Sequence, residues 1–157
     1  MKVTIVCVGR PRRTLAEAIE TYEGRVARYF DFETAEVKES PGRGRAAEQV
    51  VRDEGERLLA RVPPQHELIG LHRPGKAWSS EQLARHLAEA ALRSAAGVSF
   101  VIGGAYGLSD EVLNRAGHLL SLSAMTLPHE MARLVLAEQI YRAGSINRGE
   151  PYHKGLA

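Results

Sequence analysis

"FVIGGAYGLS", residues 100–109, decides how the rest of this chain is read: it joins an apolar, β-prone run to a glycine-rich turn and then to Ser109-Asp110, a pair suited to start a helix. Gly103, Gly104 and Gly107 leave a stretch of nearly bare backbone between the two elements. Glycine is used where the chain must turn through positive φ, or where something must lie against the main chain. A tight strand-to-helix turn and a ligand-binding loop both meet that description. The spacing is not the dinucleotide fingerprint, which needs Gly-x-Gly-x-x-Gly after the first strand, where this chain has "VGRPRR" (8–13).

Outward from that stretch, the same strand-then-helix unit recurs. "KVTIVCV" (2–8) is β-branched and apolar, and Leu15, Ala18, Ile19, Tyr22 and Val26 then repeat at helical spacing. "FDFETAEV" (30–37) alternates as a second strand; Val50, Val51, Glu54, Leu58 and Leu59 mark a second helix that ends before Pro63-Pro64. "HELIGLH" (66–72) is a third strand and "RPGKAW" a loop, after which Ser79 and Gln82 form a capping box for a helix carrying Leu83, Leu87, Ala90 and Ala91. "VSFVIGG" (98–104) is the fourth strand. Ser109-Asp110 caps a short helix to about Gly117, "HLLSLSAM" (118–125) reads as a fifth strand, and Pro128 stands in the first turn of a last helix running to Gly144. The order βαβαβαβαβα predicts an α/β fold: one domain over 1–157 with a mainly parallel sheet and helices on both faces. Ligands of such sheets bind beyond the carboxyl ends of the strands, where three loops are expected, after Leu71, after Ile102 and after Leu122.

Composition narrows the function classes. A chain of 157 residues, 44% apolar and 25% charged, can build a core, and this excludes a disordered polymer. It contains no apolar run long enough to span a bilayer, and Met1 to Val8 is too short for a secretory signal, so a cytoplasmic protein is expected. The single cysteine, Cys7, is expected to be a small buried hydrophobe; no disulfide or cysteine-based metal framework is available. A net charge of +2 is too small for a nucleic-acid coat. The arginines nevertheless gather in "GRPRR" (9–13), "GRGR" (42–45) and the tail "NRGEPYHK" (147–154), either as solvated charge or as loops converging on phosphates.

The last helix, "MARLVLAEQIYRA" (131–143), spreads Met131, Leu134, Val135, Leu136, Ile140 and Tyr141 around its circumference. Such a helix is covered on all sides, which suggests one face on the sheet and the other on a second copy of the chain in a two-fold dimer. Glu138 and Arg142, four apart, are either a surface pair contributing roughly 0.3–0.5 kcal/mol or charges facing a cleft. His129 is expected to shape the helix entry by local hydrogen bonding, Trp78 to pack, and Lys76 to be solvated.

"GLHRPGKAWSSEQLA" (70–84), "FVIGGAYGLS" and "LSLSAMTLPHEMARLVLAEQIYRAGSINRGEPYHK" (120–154) together resemble the rRNA large-subunit methyltransferase H family, a branch of the SPOUT methyltransferases, and the resemblance runs along essentially the whole chain. It implies a carboxyl-terminal trefoil knot, a homodimer, and S-adenosylmethionine as methyl donor, without a metal. By the same warrant the cofactor would meet Leu71, Gly103, Leu122, Ser123, Ala124, Met125, Thr126 and Leu127. These positions fall in the three loops named above, which answers the opening question in favour of a ligand. Where relatives commonly carry Asp, this chain has His72, and Gly155 to Ala157 extend past the usual ending.

The implied reaction is methylation of N3 of pseudouridine 1915 in 23S rRNA, on the assembled ribosome. That nitrogen is an imide N–H and must lose its proton before or during attack, so a base of near-neutral pKa is needed. His153 has this chemistry; the alternative is an unstructured terminal histidine. Arg142, with Glu138, is expected to hold a phosphate or the base, Tyr152 to stack on it, and Lys154 to assist, with one subunit's tail completing its partner's pocket. A ribosome-binding protein without catalysis and a doubly wound nucleotide enzyme are the competing readings.

Overall fold

Alternation within the strands sets the two cores. In β1 (Lys2–Val8), Val3, Ile5 and Cys7 point to one face of the sheet while Val6 and Val8 point to the other, and nearly every residue is buried. A computed structural model describes residues 1–153, the side chain of His153 excepted. The chain runs β1, α1 (Arg13–Val26), β2 (Asp31–Val37), α2 (Ala47–Ala60), β3 (Glu67–Ala77), α3 (Ser80–Leu92), β4 (Gly97–Ile102), α4 (Asp110–Arg115), β5 (His118–Ser121) and α5 (His129–Asn147), followed by a 3-10 turn over Pro151–His153. The strict alternation expected from the sequence is the observed one. All four strand pairings are parallel, in the order β2-β1-β4-β3-β5.

Helices α1, α3 and α5 cover the face that carries Val3, Ile5, Ile69, Phe100 and Leu120; α2 and α4 cover Val6, Val101 and Leu68. The three-layer arrangement follows from right-handed crossovers alternating across a parallel sheet. Local signals are realised where they are strong. The Ser79–Gln82 capping box forms in both directions, at 3.1 and 2.7 Å, and the Ser109 hydroxyl accepts from the Val112 N–H at 3.3 Å. No helix among the described residues is long and apolar enough to cross a membrane.

Three boundaries differ from the expectation. "RPGKA" is not simply a loop: β3 makes an excursion at residues 72–75 and resumes, so that Leu71 and Lys76 both face Leu120 and Ala77 then pairs with Ser121. Pro74, which has no N–H to give to a ladder, falls within the excursion. Strand β5 stops at Ser121 rather than continuing to Met125, because β3 offers no partner beyond Ala77. Helix α5 runs past Gly144, where a Cβ would stand 2.5 Å from the ring of Tyr29. Glycine there allows close packing of the helix rather than ending it.

Because the strands are parallel, the loops after all five emerge on one edge of the sheet. Helix α5 starts at that edge and, 19 residues or about 28 Å later, ends at the opposite one.

Candidate active site

The excursion within β3 and the loops after β4 and β5 enclose an open cavity of about 620 Å³. Its walls come from Leu71, His72 and Arg73 in the β3 excursion, from Ile102, Gly103, Gly104 and Gly107, and from Leu122, Ser123, Met125, Thr126 and Leu127; His129 and Ala132 at the start of α5 close the floor. Seven of the eight positions expected to meet the cofactor therefore converge on one cavity, and Ala124 is exposed in the same loop outside its lining. His72, the departure from the family pattern, also lines it. So does His129, for which the sequence suggested only a local hydrogen-bonding role.

The glycine wall is shaped by close approach. A Cβ on Gly103 would stand 2.5 Å from the carbonyl carbon and oxygen of Gly107, and one on Gly104 would stand 2.8 Å from a carboxylate oxygen of Glu54. Gly107 has φ of +83°, which only glycine adopts without strain, and its N–H closes the loop on the Gly104 carbonyl at 3.1 Å. In the third loop Ser123 works on its own backbone: its hydroxyl accepts from the Met125 N–H at 3.0 Å while its carbonyl accepts from the Ser121 hydroxyl at 3.1 Å. Both keep the turn after β5 tight at the cavity mouth.

Two buried titratable side chains near this cavity went unrecognised in the sequence. Glu54 is 2% exposed on the core face of α2; one carboxylate oxygen accepts the Ser40 N–H at 3.1 Å, and the other has no hydrogen-bond partner among the described residues. Burial pushes its pKa up, opposed by the Ser40 hydrogen bond. Arg133 is 6% exposed on α5, donating to Glu23 at 2.7 and 3.2 Å and pairing with Glu36 at 3.4 Å. Its Nη1 also donates to the Cys7 sulfur at 3.5 Å, so Cys7 is not a plain hydrophobe, and burial carries that thiol up to about 11 against the pull of the guanidinium. The signal for both residues was present: Glu54 and Arg133 interrupt the apolar faces of their helices at core spacing.

The expected catalytic residues form a second cluster. Glu138 Oε1 accepts from Arg142 at 2.6 and 3.1 Å and from the Tyr152 hydroxyl at 3.1 Å, and its other oxygen accepts from Gln139 at 2.6 Å. This is more than the surface pair that spacing alone suggested, since both side chains of the pair are less than a fifth exposed. The Arg142 guanidinium lies 5.0 Å from the Tyr152 ring, which meets Tyr141 edge-on at 4.6 Å. Desolvation, with help from Tyr22 and Glu138, raises the Tyr152 pKa. None of the three lines the cavity of its own chain: Arg142 is ten residues, about 15 Å, along α5 from Ala132. The side chain of His153 and all of Lys154 lie outside the described residues. Trp78 packs against His86 and His118, and Lys76 is exposed, as expected.

A family model described as "Predicted SPOUT methyltransferase" matches residues 1–153. The chain belongs to the SPOUT methyltransferases. Relatives similar over almost their full length are the ribosomal RNA large subunit methyltransferase H of Gemmatimonas aurantiaca, 51% identical over 98% of this chain and 100% of that protein, and that of Syntrophotalea carbinolica, 45% identical over 98% and 99%. Among solved structures, TrmJ from Z. mobilis covers 98% of this chain and 71% of its own at 16% identity and a TM-score of 0.49. The cofactor of SPOUT methyltransferases is S-adenosylmethionine. The cavity fits it: Leu71, Ile102, Leu122 and Leu127 supply apolar walls, and the glycine stretch leaves backbone bare for a ligand to lie against.

Proposed function

We propose that this protein methylates N3 of pseudouridine 1915 in 23S rRNA, with S-adenosylmethionine as donor, and that it acts in the cytoplasm on the assembled large subunit or ribosome. One observation carries the reading. The β3 excursion and the loops after β4 and β5 meet in a single glycine-walled cavity, in a chain whose full-length relatives are named as large-subunit ribosomal RNA methyltransferases. Bound S-adenosylmethionine supplies an electrophilic methyl group on a sulfonium and needs no metal for it.

The chain's own residues have three tasks. Leu71, Gly103, Leu122, Ser123, Ala124, Met125, Thr126 and Leu127 hold and orient the cofactor, with the apolar members excluding water. Arg142, fixed by Glu138, holds the RNA by a phosphate or base carbonyl, while Tyr152 offers a stacking face. His153 takes the imide proton from N3, with Lys154 beside it in the tail. The target base must leave its stack to reach the cavity, as chemistry on a base generally requires.

The course of α5 supports a homodimer, with one subunit's tail serving the partner's cavity. That helix leaves the cavity edge at His129, and the turn after it sets Tyr152 back against Glu138, Tyr141 and Arg142, away from the lining of its own chain's cavity. The basic loops Arg10–Arg13 and Arg43–Arg45 follow β1 and β2, and so emerge on the same edge as the cavity, where they could meet ribosomal phosphates. The test incubates the protein and labelled S-adenosylmethionine with ribosomes from a strain lacking the modification, then maps the product by mass spectrometry. Label at N3 of that pseudouridine is expected; label at another base, or none, would reject the substrate assignment.

A further inference from the structure

The first residues of β3 and β5 bring together side chains far apart in the sequence. Glu67 opens β3, His118 opens β5, and His86 projects from α3 between them. His86 Nε2 lies 3.0 and 3.1 Å from the two oxygens of Glu67, and His118 Nε2 lies 3.3 Å from one of them. One ligand atom from each residue falls within 4.8 Å of the others, and the two imidazoles stand edge to face at 4.9 Å. Trp78 closes one side, its ring 4.9 Å from His86 and 5.2 Å from His118.

We infer that Glu67, His86 and His118 form a binding site for a divalent transition metal, with zinc the best match. Two imidazole nitrogens and one carboxylate are borderline ligands of the kind zinc takes, and they leave a fourth position for water. With metal–ligand bonds of about 2.0–2.2 Å, tetrahedral ligand atoms stand about 3.4 Å apart. The Glu67–His86 and Glu67–His118 separations are already near that length, so binding requires mainly that the two imidazoles close on each other. Each Nε2 must give up its proton, to Nδ1 of the same ring or to solvent, before it can ligate. His118 is half-exposed, which leaves a path for the ion to enter.

A metal here would act as a clamp. Strand β5 is an edge strand of four residues that, among the described residues, pairs only with β3, and the cofactor-side loop 122–127 leaves directly from its end. Tying His118 to Glu67 and to α3 would hold the start of β5 and, through it, the register of that loop. The site lies at the opposite end of β5 from the cavity, so its occupancy can be measured without reference to methyl transfer.

The chain has a single tryptophan, and it is the one that walls the site, so its fluorescence reports occupancy directly. Protein stripped with chelator is titrated at pH 7.5 with zinc chloride, followed by tryptophan emission and by calorimetry, and then with cobalt chloride, whose ion quenches emission. One equivalent per chain and a zinc-dependent rise in melting temperature are expected. His118→Ala and Glu67→Gln should each weaken zinc binding at least tenfold, and His118, being half-exposed, can be replaced without opening the core. Absence of saturable binding below 100 micromolar zinc, or unchanged affinity in His118→Ala, would overturn the site.

Discussion

Replacing Gly103 with alanine tests whether the glycine wall is a matter of space. The new Cβ would stand 2.5 Å from the carbonyl carbon and oxygen of Gly107 and 3.1 Å from its Cα, whereas ordinary contact begins at 3.4 Å. Segment 104–107 must therefore retreat by roughly 0.9 Å. It cannot move inward, since Gly104 already rests on the buried Glu54 carboxylate, nor unfold locally without losing the 3.1 Å hydrogen bond from Gly107 to Gly104. The remaining direction is into the cavity. Overpacking of this kind costs about 1–3 kcal/mol, and in a chain of this size each kcal/mol lowers the melting temperature by about 2–4 °C. Displacing a wall against which a ligand lies should weaken S-adenosylmethionine at least tenfold by calorimetry, beyond any loss of folded protein. Gly107→Ala separates crowding from backbone strain: its Cβ would meet nothing within 4 Å but its φ is +83°, so it should cost about 1–2 kcal/mol without pushing segment 104–107 aside. A Gly103→Ala protein that melts like wild type and binds the cofactor within twofold would refute the reasoning.

Other outcomes follow from the buried charges and the tail cluster. Because burial raises the pKa of Glu54 in the folded state, its contribution to stability is complete below the unfolded value of 4.5 and is lost as pH rises through the folded value. Melting temperature measured from pH 4.5 to 8 should consequently fall less steeply in Glu54→Gln than in wild type; parallel curves would show that Glu54 is not the group responsible. Arg133→Ala strips the partner from two carboxylates and should cost about 3–5 kcal/mol in urea unfolding, against under about 1 kcal/mol for the more exposed Glu36→Gln. Equal losses in the two would place the stability elsewhere. Arg142→Ala should leave cofactor affinity near wild type and lower methyl transfer to ribosomes about 100-fold, since Arg142 does not line its own chain's cavity. A matching drop in cofactor affinity would contradict that separation.

Much of this protein could be read from local patterns. Continuous β-branched apolar runs marked β1 and β4, alternation marked β2, a period near 3.6 marked the helices, Ser79 with Gln82 announced α3, and the succession of strand and helix implied a parallel sheet with its ligand loops on one edge. The loops around the cavity were also legible, because bare glycine backbone and strand ends are features of neighbouring residues, whereas the individual cofactor positions came from the family resemblance. What tertiary structure alone decided is which distant residues meet. The strand order carries β4 between β1 and β3 and leaves β5 at an edge, with β3 as its partner up to Ser121. Glu54 and Arg133 looked like ordinary helix charges until packing closed over them. Glu67, His86 and His118 showed no spacing that a motif could capture, yet the starts of two paired strands and one turn of α3 set them side by side. Local periodicity reflects each residue's own preference for water or core, whereas burial partners and ligand geometry depend on contacts across many residues, which exist only once the sheet has formed.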